Sequence, residues 1–194
     1  MLYNLPASVD VRLLRTRTAL VGALQELLTT KSFDQITIRE IAASAKVGYA
    51  TYYRHYATKE ALLHDLVCDQ ITKLIDVALP VVFVSSMRES CRTLCNFVAE
   101  QRALWKALLT GAASGILREE FMRQVKRLKG RYTGYAGWLP QDLHLACTTG
   151  ATIDVLNWWL SQNPMVPVDD VLDLLDSLIC TLSVTRGQPN WQSA

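Results

Sequence analysis

With 194 residues, of which 50% are apolar and 20% charged, the chain can bury one sizeable core or a small domain joined to a larger one, which excludes a disordered protein. The net charge of +2 excludes a protein that merely coats nucleic acid, because such proteins are more basic. The charge is uneven: residues 1–60 hold eight Lys/Arg against five Asp/Glu (+3), and residues 61–194 hold twelve against thirteen (−1). This distribution favours site-specific docking through one small basic domain.

Cysteine usage and hydropathy indicate the cellular compartment. The five cysteines form an odd number without framework spacing, which is typical of a reducing cytoplasm; they are Cys68, Cys91, Cys95, Cys147 and Cys180. The longest apolar run, residues 77–84, is interrupted by Pro80 and is too short to span a bilayer. No secretory signal pattern precedes Asp10. We therefore expect a cytoplasmic protein with no membrane partner.

The first predicted helix covers residues 11–29 and follows a short N-terminal arm. Leucines at helical spacing form its apolar stripe; they are Leu13, Leu20, Leu24, Leu27 and Leu28. Three arginines near its start, Arg12, Arg15 and Arg17, either contact DNA phosphate or form a solvated face. In the loop that follows, Phe33 is expected to seal the core of the N-terminal helices.

Two short helical segments joined by a tight turn come next. Thr37 and Glu40 are spaced as a capping box, in which the threonine hydroxyl accepts from the Glu40 amide and the carboxylate accepts from the Thr37 amide. The helical pattern breaks at residues 46–48, with Val47 as a buried plug and Gly48 as the N-cap of the second helix. This arrangement predicts a helix-turn-helix, whose second helix is sized for the DNA major groove.

Many residues of this segment stand at fixed spacings that together form a sequence motif. They are Thr37-Ile-Arg-Glu-Ile-Ala, followed by Ala45-x-Val47-x-x-x-Thr51-x-Tyr53-x-His55-Tyr56-x-x-Lys59-x-x-Leu62-Leu63. This string resembles the DNA-binding signature of TetR-family (TetR/AcrR-type) transcriptional regulators, over about a quarter of the chain. It departs from the signature at four positions. The family usually has glycine at the position of Lys46, serine at Gly48, glycine or proline at Ala50, and leucine at Tyr52. We expect Lys46 to adopt a positive φ at modest cost.

The resemblance implies a division of labour between phosphate contacts and base contacts. The residues matching Tyr53, His55 and Lys59 hold phosphates in the family, and a hydroxyl or a lysine near a helix N-terminus suits an anion. For Tyr53 the alternative is core filling, and for His55 it is capping or packing. Base reading falls to Arg39, Tyr49, Ala50, Thr51 and Arg54. The predicted DNA-binding residues are Thr37, Arg39, Gly48, Tyr49, Ala50, Thr51, Tyr53, Arg54, His55 and Lys59.

The remainder of the chain is predicted to be helical. The fourth helix begins after Thr58 and stops before Pro80, and a broken segment containing Gly130, Gly134 and Gly137 precedes Pro140. The predicted helices after the helix-turn-helix cover residues 59–78, 86–101, 102–110, 116–129, 141–161 and 168–185. The fold class is therefore all-α with about nine helices. The predicted domains are a DNA-binding domain at 8–62 and a ligand-binding and dimerisation domain at 63–187.

No catalytic constellation, metal motif or cofactor-binding loop is visible in the sequence, so we expect no enzyme, no cofactor and no metal. His55, His64 and His144 are scattered. Cys91 and Cys95 are four residues apart on one helix face, which allows a thiol switch, although buried cysteines usually act as small hydrophobes.

Two further groups of residues are assigned roles in the C-terminal domain. The candidates for an apolar effector pocket, with plain core as the alternative, are Met87, Phe97, Trp105, Phe121, Met122, Asp154 and Trp158. The candidates for a dimer interface, formed when the last two helices pair with their symmetry mates as a four-helix bundle, are Leu156, Trp159, Val171, Leu175, Leu178 and Leu182.

The resemblance implies a bacterial homodimer that binds a double-stranded DNA operator, associates with the nucleoid when bound, and responds to a small-molecule effector. The most specific expectation is a repressor released from a palindromic operator by an apolar or amphipathic effector. The alternatives are an effector-independent or thiol-responsive DNA-binding protein, and an enzyme that keeps the helix-turn-helix only as a scaffold.

Overall fold

The computed structural model describes residues 11–84, 86–128 and 139–183, and within these ranges it contains nine α-helices and no β-strand. The expected all-α class is confirmed. The helices are α1 Val11–Leu28, α2 Ile38–Ser44, α3 Tyr49–His55, α4 Lys59–Val84, α5 Met87–Glu100, α6 Arg102–Leu109, α7 Ala113–Leu128, α8 Gln141–Ser161 and α9 Val168–Ser183. A short 3-10 turn, Phe33–Gln35, stands in the predicted loop between α1 and α2.

The chain divides into two compact units between Leu66 and Val67, so the boundary lies inside α4. The N-terminal unit encloses an apolar core to which α1, α2, α3 and the start of α4 all contribute. Its most deeply buried side chains are Leu20, Leu24, Ile36, Ile41, Tyr52, Leu62, Leu63 and Leu66. Phe33 is also buried, as expected, whereas Leu13 is 52% exposed and Val47 is only half-buried. The predicted leucine stripe and buried plug are therefore wrong at these two positions.

Helix α4 is longer than its sequence predicts, because it continues through Pro80 to Val84. A proline inside a helix removes one backbone N–H and crowds the preceding turn, which is why the sequence indicated an end before it. The expected stop at Pro80 is therefore wrong.

The C-terminal unit is built on α8 and α9, which pack against each other, while α5 packs on α9 and both α6 and α7 pack on α8. Trp159 donates its indole N–H to the Val166 carbonyl at 2.7 Å and so fixes the connection between α8 and α9. Arg88 pairs with Asp173 at 2.7 Å and with Asp176, which joins α5 to α9. These pairs are partly exposed, so each adds little stability.

Most predicted helix ends in this unit agree with the structure. Ser86 caps α5 by accepting from the Glu89 amide at 3.2 Å, and Gly111, at a φ of 58°, follows the end of α6. Helix α7 begins at Ala113, earlier than predicted. The glycine-rich segment, the N-terminal arm and the end predicted at residue 185 lie outside the described residues.

Across the described ranges, no helix combines the length and the apolar character needed to cross a membrane.

Candidate nucleic-acid interface

The first helix of the motif, α2, begins with the capping box that the sequence predicts. The Glu40 amide donates to Thr37 Oγ1 at 3.2 Å, and the Thr37 amide donates to Glu40 Oε2 at 2.9 Å. Lys31 also donates to the Glu40 carboxylate, at 2.5 Å. The hydroxyl of Thr37, a predicted DNA-binding residue, is therefore already used within the cap.

The Glu40 carboxylate makes the N-terminal unit sensitive to acid. The hydrogen bond from Lys31, followed by those from Thr37, lowers the pKa of Glu40 from an ordinary 4.5 to about 2. Because the folded pKa is depressed, this stabilisation is complete above 4.5 and is lost as the pH falls toward about 2. We expect the melting temperature to fall across this window, and Glu40→Gln to flatten that part of the profile. Equal acid dependence in both proteins would contradict this prediction.

The backbone of the turn between α2 and α3 accommodates the two residues at which the turn departs from the family signature, Lys46 and Gly48. Lys46 has a φ of 54°, which confirms the expected left-handed lysine, and its amide donates to the Ala43 carbonyl at 3.1 Å. Gly48 occupies the N-cap of α3 in an extended conformation, also as expected. The turn is thus formed without the glycine that usually occupies the position of Lys46.

The four tyrosines of α3 and its C-cap divide into an exposed pair and a buried pair. Tyr49 and Tyr53, four residues apart, are 53% and 46% exposed, with their hydroxyl oxygens 3.2 Å apart and their rings in edge-on contact at 5.0 Å. The hydrogen bond with Tyr49 raises the pKa of Tyr53. Tyr52 is fully buried and donates to the Thr58 carbonyl at 3.1 Å. Burial raises the pKa of Tyr52 to about 12, so its hydroxyl stays protonated at any physiological pH.

The exposed side of α3 collects most of the predicted DNA-binding side chains. Ala50 and Arg54 are exposed beside the tyrosine pair, and Arg54 donates to the half-buried Thr51 at 3.4 Å. His55 is half-buried against Tyr56. On α2, Arg39 is also exposed. The motif thus presents hydroxyls, guanidinium groups and a methyl group, which are the groups that contact phosphates and base edges.

Lys59 is placed differently from the other predicted phosphate contacts. Its ammonium donates to the backbone carbonyls of Phe33, Asp34 and Ile36 at 3.0, 3.3 and 3.1 Å, and it lies 4.6 Å from the centre of the Phe33 ring. Since an ammonium has three hydrogens, this set accounts for all of them. The geometry therefore gives Lys59 a role in tying the start of α4 to the segment before α2, and its phosphate contact stays a prediction.

A second tie to α4 was not predicted from the sequence. Asp65 on α4 accepts from Arg17 on α1 at 2.7 Å and from the Tyr56 hydroxyl at the end of α3. Burial opposes ionisation, yet these two hydrogen bonds keep the pKa of Asp65 below its ordinary value. No local pattern reveals this contact, because Arg17 and Asp65 are 48 positions apart.

The predicted ligand-binding residues of the C-terminal unit do not share one environment. Met87 and Trp158 are 47% and 43% exposed, and Asp154 is exposed and paired with Arg118. The buried members are Trp105 and Phe121, and the half-buried ones are Phe97 and Met122. Among these seven, the structure records a ring contact between Phe97 and Trp105, whose centres are 6.1 Å apart.

The predicted dimer residues need correction at four positions. Leu156, Trp159, Val171 and Leu175 are at most 2% exposed within a single chain, so their side chains pack inside it and leave no surface for a partner. Leu178 is 42% exposed, and the side chain of Leu182 lies outside the described part. The helical stripe marked the inner face of α8 and α9, because periodicity does not tell a core contact from an intersubunit contact. Among the described side chains of these two helices, the exposed large apolar residues are Leu143, Trp158, Leu174 and Leu178.

Residues 20–66 match the family described as "Bacterial regulatory proteins, tetR family". The uncharacterized HTH-type transcriptional regulator YxbF of Bacillus subtilis (strain 168) is 38% identical over 69 residues, which cover 35% of this chain and 18% of YxbF. Matches to other curated regulators cover about half of their lengths, 47% for UidR of Escherichia coli (strain K12) at 31% identity. The chain thus spans about half or less of the curated relatives it matches.

Solved structures extend the similarity beyond the helix-turn-helix. A TetR transcriptional regulator from Streptococcus agalactiae 2603V is 26% identical, with 88% of this chain and 96% of that chain covered at a TM-score of 0.65. RolR, solved in complex with resorcinol, shares the fold at 22% identity, with coverage of 92% and 97% and a TM-score of 0.66.

Proposed function

Because the chain belongs to the TetR family of helix-turn-helix transcriptional regulators, we propose that it is a repressor that binds a palindromic operator as a homodimer and is released by a small apolar or amphipathic effector. We assign DNA binding to residues 8–62, and effector binding and dimerisation to residues 63–187. The observation that carries the DNA-binding part is the exposed face of α3, which presents Tyr49, Tyr53 and Arg54. Arg39 is likewise exposed on α2.

Within this interface, Tyr53 and His55 hold phosphates, while Arg39 and Tyr49 read bases. The Tyr49 and Tyr53 hydroxyl oxygens lie 3.2 Å apart, so the two side chains share one exposed surface. Lys59 contributes by fixing the start of α4 through its three carbonyl contacts.

The base-reading role of Arg39 predicts a position-specific loss. Arg39→Ala should weaken binding to the preferred operator by about 1–3 kcal/mol per contacted base and relax preference at one position of each half-site. Binding to scrambled DNA should change little. Titrations on operator and scrambled DNA at several salt concentrations measure both effects.

Tyr53→Phe is the matched comparison, since it removes one neutral hydroxyl from the same surface. It should weaken operator and scrambled DNA nearly equally and leave the salt dependence unchanged, because no charge is lost. The division of labour would be refuted if Tyr53→Phe altered base preference while Arg39→Ala weakened both DNAs alike.

A two-fold dimer supports a palindromic operator, with recognition helices about 34 Å apart or a multiple of that distance. The surface proposed for dimerisation consists of the exposed apolar residues of α8 and α9, chiefly Leu143, Leu174 and Leu178. Leu174 and Leu178 are four residues apart, so they lie on one face of α9.

The effector part of the proposal assigns small-molecule binding to the C-terminal unit. The apolar interior around Phe97 and Trp105 supports an apolar or amphipathic ligand. The crystallised complex of RolR with resorcinol, a small aromatic diol, is consistent with this class of ligand. An effector that relieves repression must bind the DNA-free conformation more tightly.

The thiol-responsive alternative is less favoured by the geometry. Cys91 and Cys95 are 8% and 0% exposed, and burial raises their pKa values to about 11 and about 12. Thiols of this kind remain protonated and react slowly with oxidants. DNA release by oxidation that is lost in a Cys91→Ser, Cys95→Ser variant would establish the thiol alternative.

The decisive experiment selects bound sequences from random DNA and then measures release by candidate ligands. Enrichment of an inverted repeat supports the repressor proposal, and enrichment of a single unrepeated site contradicts the palindromic operator. Absence of any enrichment refutes sequence-specific binding.

A further inference from the structure

Lys46, in the turn between α2 and α3, is the one lysine of the N-terminal unit whose ammonium has no partner among the described residues. The ammonium of Lys31 pairs with Glu40 at 2.5 Å, and that of Lys59 donates to three backbone carbonyls. Lys46 is exposed, and in the part of the chain that the structure describes no hydrogen bond or ion pair holds its side chain. A full positive charge is therefore available to a molecule outside the chain.

The backbone of the turn does not need a lysine at this position. With a φ of 54°, Lys46 lies in the left-handed region, which costs a residue with a Cβ more than it costs glycine. The hydrogen bond from its amide to the Ala43 carbonyl is a backbone contact that any residue other than proline can make. Because neither feature uses the side chain, the fold alone does not explain the lysine. Non-glycine residues held in this conformation cluster at functional sites.

The position of Lys46 in the motif places its charge at the edge of the DNA major groove. It stands two residues before Gly48, the N-cap of α3, and the exposed Tyr49 follows. In a helix-turn-helix the N-terminal residues of the second helix meet base edges, so the turn before them lies beside the sugar-phosphate backbone. Between Glu40 and Arg54, Lys46 is the only charged residue in the sequence. It is therefore the cation nearest in sequence to the end of α3 that enters the groove.

We infer that Lys46 is a further phosphate-binding residue of this interface, at a position where the family usually has glycine. A lysine ammonium is a compact point charge that suits a phosphate oxygen, and it lacks the planar fork of an arginine. Lys46 thus positions the protein on DNA without choosing bases. The inference rests on the proposed function, because it adds a residue to the same DNA-binding face.

The test measures the DNA affinity of Lys46→Asn, in the full chain, by fluorescence anisotropy at several salt concentrations. The probes are a labelled duplex of arbitrary sequence and the duplex recovered by selection. Asparagine tolerates the left-handed conformation and carries no charge, so the variant should melt at or above the wild-type temperature. Each lost phosphate contact lowers the slope of log affinity against log salt by about 0.9. With two contacts in a dimer, the fall in affinity between about 50 and 200 mM salt should be about twelvefold smaller, equally on both duplexes.

Three further variants separate the charge from the conformation. Lys46→Arg keeps the charge in the same backbone conformation and should retain the wild-type slope. Lys46→Gly removes both the charge and the conformational cost, so it should repeat the shallower slope in a chain that is no less stable, even if asparagine disturbs the turn. Lys106→Gln is the matched control, since it removes an exposed lysine charge from α6 in the C-terminal unit, and its slope should equal that of the wild type.

The inference is overturned if Lys46→Asn and Lys46→Gly both keep the wild-type slope, or if they change which bases are selected. A chain that selects an operator and shows an unchanged slope in these variants refutes the phosphate contact and leaves the repressor proposal standing. A chain that binds every sequence equally, with a shallower slope in the variants, supports the contact and refutes the repressor. Failure of the wild type to bind any duplex refutes both.

Discussion

Replacement of Lys59 by methionine is expected to lower the free energy of unfolding of the N-terminal unit by about 2–4 kcal/mol. The methionine preserves most of the side-chain length, but it leaves the carbonyls of Phe33, Asp34 and Ile36 without their charged donor. Because the ammonium is used inside the protein, the salt dependence of DNA binding by the folded variant should match that of the wild type. Chemical denaturation and DNA titrations at several salt concentrations measure the two quantities.

Lys31→Met provides the control, since Lys31 is a lysine of the same unit whose ammonium pairs with the exposed Glu40. Removal of this exposed pair should cost no more than about 1 kcal/mol. A flattened salt dependence in Lys59→Met with unchanged stability would instead favour the phosphate contact that the family resemblance implies.

Glutamate substitutions on α9 are expected to separate folding from dimerisation. Leu174→Glu combined with Leu178→Glu places charge on exposed positions, so the variant should remain helical and sediment as a monomer. Leu175→Glu places a charge at a side chain that is 1% exposed within one chain. It should therefore destabilise the chain itself by more than about 4 kcal/mol, because a buried charge has no partner there. Sedimentation over a range of concentrations and thermal melts distinguish the two results.

Met87→Glu is the control for charge alone, since Met87 is 47% exposed on α5, outside the proposed dimer surface. It should remain a dimer. An unchanged dimer in the double variant would eliminate the exposed face of α9 as the interface. A folded monomer produced by Leu175→Glu would restore the original assignment of that residue.

The helix-turn-helix is the part of this protein that local sequence determines. The Thr37 and Glu40 capping box, the left-handed Lys46 and the Gly48 N-cap are all present as expected. Each depends on residues within a few positions of one another, so short-range spacing carries the information. The expected stop at Pro80 followed the same reasoning and was wrong, since α4 continues to Val84.

The exposed and buried tyrosine pairs of α3 show what helical periodicity can predict and what it cannot. A helical repeat places Tyr49 with Tyr53 and Tyr52 with Tyr56, but it does not say which pair is inside. Only the fold decided that Tyr52 is buried and that Tyr56 donates to Asp65. The same ambiguity led to the wrong dimer residues on α8 and α9, since core faces and intersubunit faces are both apolar.

The sequence by itself determined the helical class, the helix-turn-helix and its caps, and the concentration of positive charge in the first 60 residues. Only the tertiary structure decided that Lys59 binds three carbonyls, that Asp65 connects α1 to the end of α3, and that the Trp105 indole nitrogen and the Asn157 amide oxygen are buried without a hydrogen-bond partner in the described part of the chain. The reason is physical. Caps and amphipathic stripes depend on neighbours within about one helical turn, whereas these contacts join residues far apart in sequence, and their geometry exists only after the helices have packed.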